Sequence, residues 1–577
     1  MVDGREPTVQ KQYARETLVA DFIASRLVEV GVRHVFGVGG ANIEDLFAAV
    51  QRLRPAISAV LNKHEHAAGT AADAYARLQG FGVVMVTSGG GAMNLVHSMA
   101  EARASRVPLL ALVGEPPTEL QGRGAFQDTS GKGDAVDALA VFRAAAAHAT
   151  RVERADDVPR LLDDALRAAR GPDPGPAVLL LAKDLQTARL NADAESPRGP
   201  IRAVVVNPDR KDLARAVEYL AARPVVIIAG PEIARASAKE ALRKLSLELG
   251  ARVATTPDGR DAFDNRAPSF VGVSGAMGHP AVARAVAEAR VVVLAGTTLP
   301  FLARQGLEPL LREKTLVSLG PVRPFVTGTD GIHVAGELAR VLEELVEAVA
   351  PIDVRLAGPA AAREEVSAAG DAPTTFTTAS ILRTVERLAP EGSIVLVDAG
   401  NTGASSAHHV RAPRGGRFLL AMGMAGMGYA FGGATGAAFA SGKRCIVLAG
   451  DGAFYMQGLE IHTAVEHSLP ITYVLFDNRA HGMCLVRERI LLGENSGYNA
   501  FRHSHLGAGL GAMFPDLAAT DCSTLAELEA AFAESLLQDG PSVICAALPD
   551  VEVPPFGAFQ QKAPTTTTVP RGPKHGT

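Results

Sequence analysis

The stretch RCIVLAGDGAFYMQGLEIHTAVEHSLPITYVLFDN, residues 444–478, contains two apolar runs that each end in an oxygen-bearing side chain. Asp451 follows the first run between two glycines, and Asn478 follows the second. The intervening MQGLEIHTAVEHS has helical spacing, so the stretch predicts a strand, a helix and a second strand. A right-handed crossover of this kind brings the two strand ends side by side. Asp451 and Asn478 are therefore predicted to face one point at the edge of a parallel sheet.

A carboxylate oxygen and an amide oxygen at one point are hard ligands, suited to Mg²⁺ that also holds a phosphate group. Gly450 and Gly452 allow the backbone to approach a ligand closely. The N–H groups of Gly452 and Ala453, at the start of the predicted helix, are expected to receive phosphate oxygens. The alternative interpretation is an ordinary Asp-Gly turn and an ordinary loop asparagine.

Similar β-branched strands alternate with helical segments along the rest of the chain, in three blocks. This pattern predicts an α/β fold with three doubly wound parallel-sheet domains. A stretch rich in Pro, Ala and Gly is the predicted linker before the third block, and a polar tail follows that block. The predicted boundaries are a first domain at 1–188, a central domain at 200–350, a linker at 351–375, a third domain at 376–552 and a flexible tail at 553–577.

Composition excludes several classes of protein. The 577 residues are 47% hydrophobic and carry a net charge of −5 without a long basic run, which argues against a nucleic-acid partner. The four cysteines lack CxxC spacing, which argues against disulfides and zinc and favours a cytoplasmic location. The N-terminal segment has no apolar core of a secretion signal. Residues 418–440 are uncharged and long enough to span a bilayer, but their glycine content favours a buried element over a membrane-spanning helix, so no membrane partner is expected.

The pattern of GDG followed by an asparagine one crossover later resembles the diphosphate-binding motif of thiamine-diphosphate enzymes. The resemblance implies that Asp451, Asn478 and the backbone carbonyl of Ala480 bind Mg²⁺, which holds the diphosphate of thiamine diphosphate. Asp477 stands where the family usually has another asparagine. The resemblance covers nearly the whole chain. It identifies the three predicted domains, in order, as pyrimidine-binding, central and diphosphate-binding.

Other segments resemble parts of the same family that contact the cofactor. NKHEHAAGTAADAYARLQG resembles the segment of the catalytic glutamate, which implies that Glu65 hydrogen-bonds the pyrimidine ring and activates the cofactor. Taken alone, this segment could be a solvated helix face. VTSGGGAMN, with Gly90 where proline is common, implies that Asn94 lies near the cofactor.

Two segments close to the GDG motif also resemble that family. MAGMGYAFGGATGAA places Met427 where an apolar side chain supports the bent cofactor, although a core methionine is the alternative. DAGNTG resembles a second diphosphate loop, with Asn401 and Thr402 as hydrogen-bond donors.

Within the family, the resemblance is to acetolactate synthase-type carboligases. GRGAFQD implies that Phe126 and Gln127 line the substrate channel, and PGPAVLLLAKD implies that Lys183 lies near the substrate carboxylate. A core aromatic residue and a surface cation are the alternatives. Gln127 and Lys183 would orient the donor or the acceptor. Arg487 stands where acetohydroxyacid synthases usually have a tryptophan, which favours a polar or anionic acceptor unless this arginine only faces solvent.

The implied reaction is decarboxylation of a 2-oxo acid, with pyruvate expected, and transfer of the acyl unit to a second carbonyl. A decarboxylase that does not ligate is the alternative, with His481 and the pair His408 and His409 as candidate proton donors. A homologue that binds nucleotides or regulates without catalysis is a third. The central domain has GTTLPFLARQ instead of the FDDR run that holds FAD, so bound FAD is not expected. The family implies a homodimer or homotetramer with the active site at the subunit interface.

Overall fold

The computed structural model describes residues 17–191, 201, 206–350, 375–494, 496–560 and 568–569. The described residues form two compact units. One contains the described parts of 1–61 and 81–203, and the other contains 62–80 and the described part of 204–577. The N-terminal segment, nearly all of the predicted linker and most of the predicted tail lie outside the described residues.

The first unit contains a parallel six-stranded sheet in the order β2-β1-β3-β4-β6-β5. Its inner strands are continuous apolar runs because helices cover both faces of the sheet. The strands are β1 (His34–Gly37), β2 (Ser58–Leu61), β3 (Gly82–Val86), β4 (Leu109–Glu115), β5 (His148–Arg151) and β6 (Pro176–Ala182). The helices are α1 (Val19–Glu29), α2 (Glu44–Arg52), α4 (Gly90–Ala104), α5 (Ala138–Ala145), a 3-10 turn (Ala155–Asp157), α6 (Val158–Ala169) and α7 (Lys183–Thr187).

The central sheet belongs to the second unit and has the order β12-β11-β10-β7-β8-β9, again with parallel strands. The strands are β7 (Val225–Ala229), β8 (Arg252–Thr255), β9 (Phe270–Val273), β10 (Val291–Ala295), β11 (Thr315–Leu319) and β12 (Asp330–Val334). The helices are α8 (Arg210–Leu220), α9 (Glu232–Arg235), α10 (Lys239–Glu248), α11 (Pro280–Glu288), α12 (Phe301–Arg304), α13 (Glu308–Arg312) and α14 (Leu338–Ala348), with 3-10 turns at Pro257–Gly259 and Gly275–Met277.

The third sheet, also in the second unit, has the order β14-β13-β15-β16-β18-β17. Its strands are β13 (Ile394–Val397), β14 (Arg417–Leu420), β15 (Cys445–Gly450), β16 (Ile471–Asp477), β17 (Ala518–Cys522) and β18 (Ser542–Ala547). Its helices are α15 (Thr378–Leu388), α16 (Asn401–His409), α17 (Tyr429–Ser441), α18 (Asp451–Gln457), α19 (Ile461–Glu466), α20 (Gly482–Arg487), α21 (Leu506–Met513) and α22 (Leu525–Leu536), with a 3-10 turn at Gly458–Glu460 and a π-helical turn at Glu488–Leu492. A short antiparallel pair, β19 (Val551–Glu552) and β20 (Thr568–Val569), and α23 (Gly557–Gln560) follow.

The three parallel sheets interleaved with helices confirm the predicted fold class. The first and third sheets share one strand order. Counted along the chain within each sheet, the second strand lies at one edge and the fifth strand at the other. The central sheet instead has its first strand, β7, next to its fourth, β10. The domain boundaries stay predictions.

Helix α3 (Glu65–Gln79) lies in the second unit and packs closely on α17. A Cβ atom at Gly432 would lie 2.3 Å from the carbonyl oxygen of Ala67, and one at Gly436 would lie 1.9 Å from that of Ala71. The two backbones can approach this closely only because α17 has glycine at both positions. The apolar stretch 418–440 is thus β14, a loop and the buried helix α17. Within the described ranges, the structure has no helix that is both long and apolar enough to cross a membrane.

Candidate active site

The quoted stretch folds as one strand–helix–strand crossover. Strands β15 and β16 are parallel neighbours, and Gly450 at the end of one pairs with Phe476 near the end of the other. Asp451 opens α18 directly after β15, and Asn478 directly follows β16. The N–H of Ala480 lies 3.1 Å from Oδ1 of Asn478 and 3.3 Å from Oδ2 of Asp451, and it donates to both. The structure therefore brings together the three residues that are predicted to bind the metal.

Two carboxyl groups are buried at this point. Asp451 is 1% exposed and Asp477 is 5% exposed. Burial, and after it the neighbouring Asp477 carboxyl, raise the pKa of Asp451 well above its usual range. A divalent cation bound here would offset the repulsion between the two carboxylates. The described residues contain no group of three or more His, Cys, Asp or Glu side chains that could hold a metal ion. A metal at this point would depend on amide and carbonyl oxygens as well.

The second predicted diphosphate loop lies at the same edge of the sheet. Asn401 opens α16 after β13, and its Nδ2 donates to the carbonyl oxygen of Glu552 at 3.0 Å. Its Oδ1 is buried and has no hydrogen-bond partner within the described part of the chain. A Cβ atom at Gly482 would lie 2.9 Å from the side-chain nitrogens of both Asn401 and Asn478. Thr402 lies beside Gly450, with Oγ1 3.5 Å from the Cβ position of that glycine.

Met427 reaches the start of the GDG helix. A Cβ atom at Gly452 would lie 3.0 Å from Cε of Met427 and 2.8 Å from Nδ1 of His481. Glycine at position 452 therefore lets both side chains approach the same point. Ala453, the next residue of α18, is buried.

Asp398 holds the turn that carries Met427. This fully buried carboxylate directly follows β13 and accepts the N–H groups of Gly428 at 2.8 Å and Ala430 at 2.9 Å, at the start of α17. Burial raises the pKa of Asp398 to about 6, against the lowering effect of these hydrogen bonds. The bonds satisfy donors that a helix N-terminus otherwise leaves unpaired.

Glu65 is the first residue of α3, as the sequence predicts, and His64 caps the helix by accepting the N–H of His66. The residues just before Glu65 form hydrogen bonds with the strand–helix–strand crossover. Buried Glu460 accepts Nδ2 of Asn62 at 2.7 Å and the N–H of Lys63 at 2.9 Å. The start of α3 is thereby fixed relative to the segment that follows α18. The catalytic role of Glu65 stays a prediction.

A cleft of about 500 Å³ opens beside Gly452. His481 lines this cleft, and its Nδ1 is buried without a partner among the described residues. Arg487, on α20, is exposed and is not part of the lining, whereas Arg502 is. The other candidate proton donors lie elsewhere: the ring of His408 stacks on His279 at 4.1 Å and meets His409 edge-on at 4.8 Å.

The remaining predicted residues belong to the first unit. Gln127 has a φ of +57°, a strained conformation for a non-glycine residue, and its Oε1 is buried without a partner in the described chain. A Cβ atom at Gly89 would lie 2.7 Å from Cβ of Gln127. Phe126 is 74% exposed, so it is not a core aromatic residue of this unit. Nζ of Lys183 lies 3.0 Å from Oδ2 of Asp45. Asn94 lies on α4 and is exposed.

Three residues of the second unit have positions that the sequence did not reveal. Asp398 belongs to the quoted DAGNTG loop, and its place at a strand end is a signal that could have identified it. Glu460 lies inside the crossover, but its partners are almost 400 residues away in the chain. Arg502 lies in an irregular loop with no periodic pattern.

Comparison with known proteins agrees with this geometry. Three profiles of thiamine pyrophosphate enzymes match the chain: the N-terminal TPP binding domain at 17–137, the central domain at 213–345 and the C-terminal TPP binding domain at 398–546. The chain belongs to the thiamine pyrophosphate (thiamine diphosphate) enzyme family. Within that family it is similar to the acetolactate synthase group.

Individual relatives differ in their named activities. The chain is 27% identical to a probable acetolactate synthase large subunit of Methanocaldococcus jannaschii, over 82% of each chain. It is 28% identical to an alpha-keto-acid decarboxylase of Mycobacterium avium, over 93% of this chain and 94% of the relative. It is 29% identical to a sulfoacetaldehyde acetyltransferase of Alcaligenes xylosoxydans xylosoxydans, over 82% of each chain.

Proposed function

We propose that the protein is a thiamine-diphosphate- and Mg²⁺-dependent carboligase that decarboxylates a 2-oxo acid, with pyruvate the first candidate, and joins the acyl unit to a second carbonyl. The convergence of Asp451, Asn478 and Ala480 at one point carries this proposal. The similarity to acetolactate synthases supports the ligation step.

The donor set fits a metal-bound diphosphate. Oxygens of Asp451 and Asn478 and the carbonyl oxygen of Ala480 would bind Mg²⁺, which prefers oxygen ligands. The N–H of Ala453 would donate to a phosphate oxygen, and so would the N–H of Gly452, which donates to Oδ1 of Asp451 at 2.8 Å in this structure. Glycine at 482 lets the side chains of Asn401 and Asn478 approach the same point, and the unpartnered Oδ1 of Asn401 offers one more oxygen there as an acceptor. The cofactor, when bound, supplies the electron sink that decarboxylation of a 2-oxo acid requires.

The chain's own residues then have separate tasks. The carboxyl group of Glu65 would hold a proton at the pyrimidine ring and so control the protonation of the cofactor. The side chain of Met427 would press against the cofactor and keep its two rings together. Gln127 and Lys183 would orient the substrate carboxylate, and the strained backbone of Gln127 beside Gly89 supports a positioning role.

Several other features belong to the proposal. The active site would combine residues of two subunits in a homodimer or homotetramer. The exposed apolar side chains of Tyr455, Met456 and Leu459, next to the GDG motif, support a covered surface. The proposed substrates are small molecules and the proposed location is the cytoplasm. FAD is not part of the proposal.

A decarboxylase that releases an aldehyde is the second candidate. Its support is His481, whose buried Nδ1 lines the cleft without a partner within the described residues and could deliver a proton to the product. The similarity to an alpha-keto-acid decarboxylase also favours it. His408 and His409 give no such support, because His408 stacks on His279, His409 packs edge-on against His408, and neither lines the cleft.

Product analysis separates the two candidates. The protein is incubated with thiamine diphosphate, Mg²⁺ and pyruvate, and CO₂, acetolactate and acetaldehyde are measured. The proposal expects CO₂ together with acetolactate, or with another ligation product when an aldehyde is added. Acetaldehyde as the sole organic product favours the second candidate. Absence of CO₂ release from a panel of 2-oxo acids contradicts both.

Glu65→Gln tests the proposed activation of the cofactor. We expect CO₂ release to fall by about 10²- to 10⁴-fold, because an amide cannot exchange a proton with the pyrimidine ring. Metal-dependent binding of thiamine diphosphate, followed by calorimetry, should remain. The matched control is Glu391→Gln, at a 79% exposed glutamate, which should be fully active. A fully active Glu65→Gln variant would refute the assignment.

A further inference from the structure

The cleft beside Gly452 has basic residues but no acidic residue in its lining. It is formed by Gly452, Tyr455, Met456, His481, Ala500, Phe501 and Arg502. The lining contains one arginine and one histidine and no carboxylate. An anion in this cleft would therefore meet a cation without an adjacent acidic side chain from the lining.

The walls of the cleft are aromatic and packed edge to face. The ring of Phe501 lies 5.4 Å from that of Tyr455 and 4.7 Å from that of His481, both nearly perpendicular. Such walls hold a small carbon skeleton and limit its hydration. The guanidinium of Arg502 makes no ion pair with another residue of the described chain, so it is free to bind a carboxylate or a similar oxyanion through two parallel hydrogen bonds.

The loop that carries Arg502 is fixed to the metal-ligand segment. The N–H of His481 donates to the carbonyl oxygen of Asn499 at 2.9 Å, and the N–H of Phe501 donates to that of Arg479 at 2.6 Å. Ala480 and Ala500 form a β-bridge between these bonds. The backbone next to Arg502 is thus held against the residues that follow the proposed Mg²⁺ ligand Asn478.

Glu488 closes the other end of this loop. It is 7% exposed and accepts Nδ2 of Asn499 at 3.0 Å and the N–H of Ser496. These bonds fix the backbone between Ser496 and Phe501, so this part of the loop needs little ordering when a ligand binds.

The cleft borders the proposed cofactor site. Gly452 forms part of its floor, and Met427 and His481 both approach the Cβ position of that glycine. A molecule in the cleft would contact Gly452, His481 and Arg502, which all line it. This is the position that the second substrate of a ligation needs.

We propose that this cleft binds the carbonyl acceptor of the reaction and that Arg502 selects acceptors carrying an anionic group. The inference rests on the proposed carboligase function. The 2-oxo acid donor loses CO₂, the electrons of the broken bond form a new C–C bond to the acceptor carbonyl carbon, and the acceptor oxygen takes up a proton. His481 faces that oxygen from the wall of the cleft. The products are CO₂ and a 2-hydroxy ketone that keeps the anionic group.

A pair of acceptors that differ only in charge tests the proposal. Pyruvate serves as donor, and succinic semialdehyde is compared with its neutral methyl ester. We expect the wild type to prefer the acid. Arg502→Gln should reduce the ratio of kcat/KM for acid over ester by about 10- to 100-fold, mainly through KM, because it removes a charged hydrogen-bond donor. Arg502→Lys should retain part of the preference.

Controls separate this role from others. Arg489→Gln removes an exposed arginine that does not line the cleft and should leave the preference unchanged. Calorimetric titration with thiamine diphosphate should give the same affinity for wild type and Arg502→Gln. If the variant instead loses cofactor affinity and both acceptors are affected equally, Arg502 serves the diphosphate and the proposal is overturned.

Two further results would overturn the inference. One is a wild type that favours the ester, and the other is a charge preference that Arg502→Gln leaves unchanged while CO₂ release is intact. In both cases the carboligase function survives and only the assignment of the cleft fails. Failure of the proposed function has a different signature, because the wild type then forms no ligation product with any acceptor, whether or not CO₂ is released, and both proposals fall together.

Discussion

The central and third sheets are both parallel, but the residues at the carboxyl ends of their strands differ in what they do. We call the side of a sheet where these strand ends lie its carboxyl edge. At the third edge, Asp451 and Asn478 follow adjacent strands and converge on one point. At the central edge, β7 and β10 are also adjacent, but Gly230 and Thr297 follow them and pack directly together. A Cβ atom at Gly230 would lie 2.4 Å from Cβ of Thr297 and 2.5 Å from the carbonyl oxygen of Gly296.

The difference shows that the topology of a parallel sheet creates a place for a ligand at the carboxyl ends of its strands, but the side chains there decide whether a ligand can bind. Ligands of doubly wound sheets bind where neighbouring strands lead in opposite directions. The central sheet has such a point between β7 and β10, yet close packing of Gly230 against Thr297 fills it. The third sheet presents oxygen atoms and N–H groups at its own edge instead. Substitutions at the two edges should therefore affect different properties of the protein.

The largest expected effect comes from removing the carboxylate at the third edge. Asp451→Ala should lower CO₂ release from pyruvate by at least about 10³-fold, since it removes the one charged metal ligand of the proposed set. Thr297→Ala, the corresponding change at the central edge, should leave the rate within about twofold and cost about 1 kcal/mol of stability, through loss of the bond that Thr297 accepts from Leu299. Similar rates in the two variants would break the comparison.

The next effect concerns Asp398, which supports the third edge without being a predicted ligand. Asp398→Ala leaves the buried N–H groups of Gly428 and Ala430 without their acceptor, so we expect a loss of about 2 kcal/mol or more in the free energy of unfolding. CO₂ release should also fall, by about tenfold, because the turn that carries Met427 loosens. Denaturant unfolding and steady-state kinetics measure the two effects.

Asp398→Asn is the matched variant, since its amide keeps one acceptor oxygen in nearly the same volume. Its losses should lie between those of wild type and Asp398→Ala. An alanine variant as stable and active as the wild type would show that the turn does not depend on this carboxylate.

The smallest effect lies where the central domain meets the third. Helix α16 carries Asn401 at its start and His408 and His409 at its end, where His408 stacks on His279 of the central domain. Burial, and after it the neighbouring His408, lower the pKa of His279 to about 2. The unfolded chain binds a proton at this histidine below about pH 6.5, whereas the folded chain does not. The contribution of His279 to the free energy of unfolding is therefore fully present well above pH 6.5 and is lost as the pH falls below that value.

Because of His279, the free energy of unfolding should fall by about 1 kcal/mol as the pH is lowered from 6.5 to 5.5. His279→Asn keeps an acceptor for the N–H of Val273 and should make this part of the pH profile less steep, as measured by denaturant unfolding at each pH. His408 and His409, whose pKa values burial also lowers, should keep part of the slope. A variant with the same pH slope as the wild type would show that His279 does not take part. Activity at pH 7.5 should be unaffected in either case.

The sequence predicts the fold class correctly because the fold follows from periodicity. Apolar strands, helical spacing and strand-end residues predict that Asp451 and Asn478 lie at one point before any coordinates are known. Asn401 is identified only because DAGNTG resembles a second diphosphate loop. Glu65 at the start of a helix follows from the same logic. The packing of α3 against α17 was not predicted, because it depends on two glycines whose partners lie over 350 residues away in the chain.

Loop residues are harder to predict for a physical reason. Arg487 and Arg502 are both exposed arginines after the GDG crossover, and sequence motifs draw attention only to the first. The loop with Arg502 reaches the cleft through bonds to Arg479 and His481 and through Glu488, which no local pattern reveals. The roles of both arginines stay predictions, and a comparison of Arg487→Gln with Arg502→Gln would rank them.

Metal-dependent cofactor binding tests the central claim most directly. Thiamine diphosphate is titrated by calorimetry into wild type, Asp451→Ala and Thr297→Ala, each with Mg²⁺ and with excess chelator. We predict that wild type and Thr297→Ala bind the cofactor only with Mg²⁺, and that Asp451→Ala binds it weakly under both conditions. Binding by Asp451→Ala that is as tight and as dependent on Mg²⁺ as that of the wild type would contradict the assignment of the third sheet edge as the cofactor site.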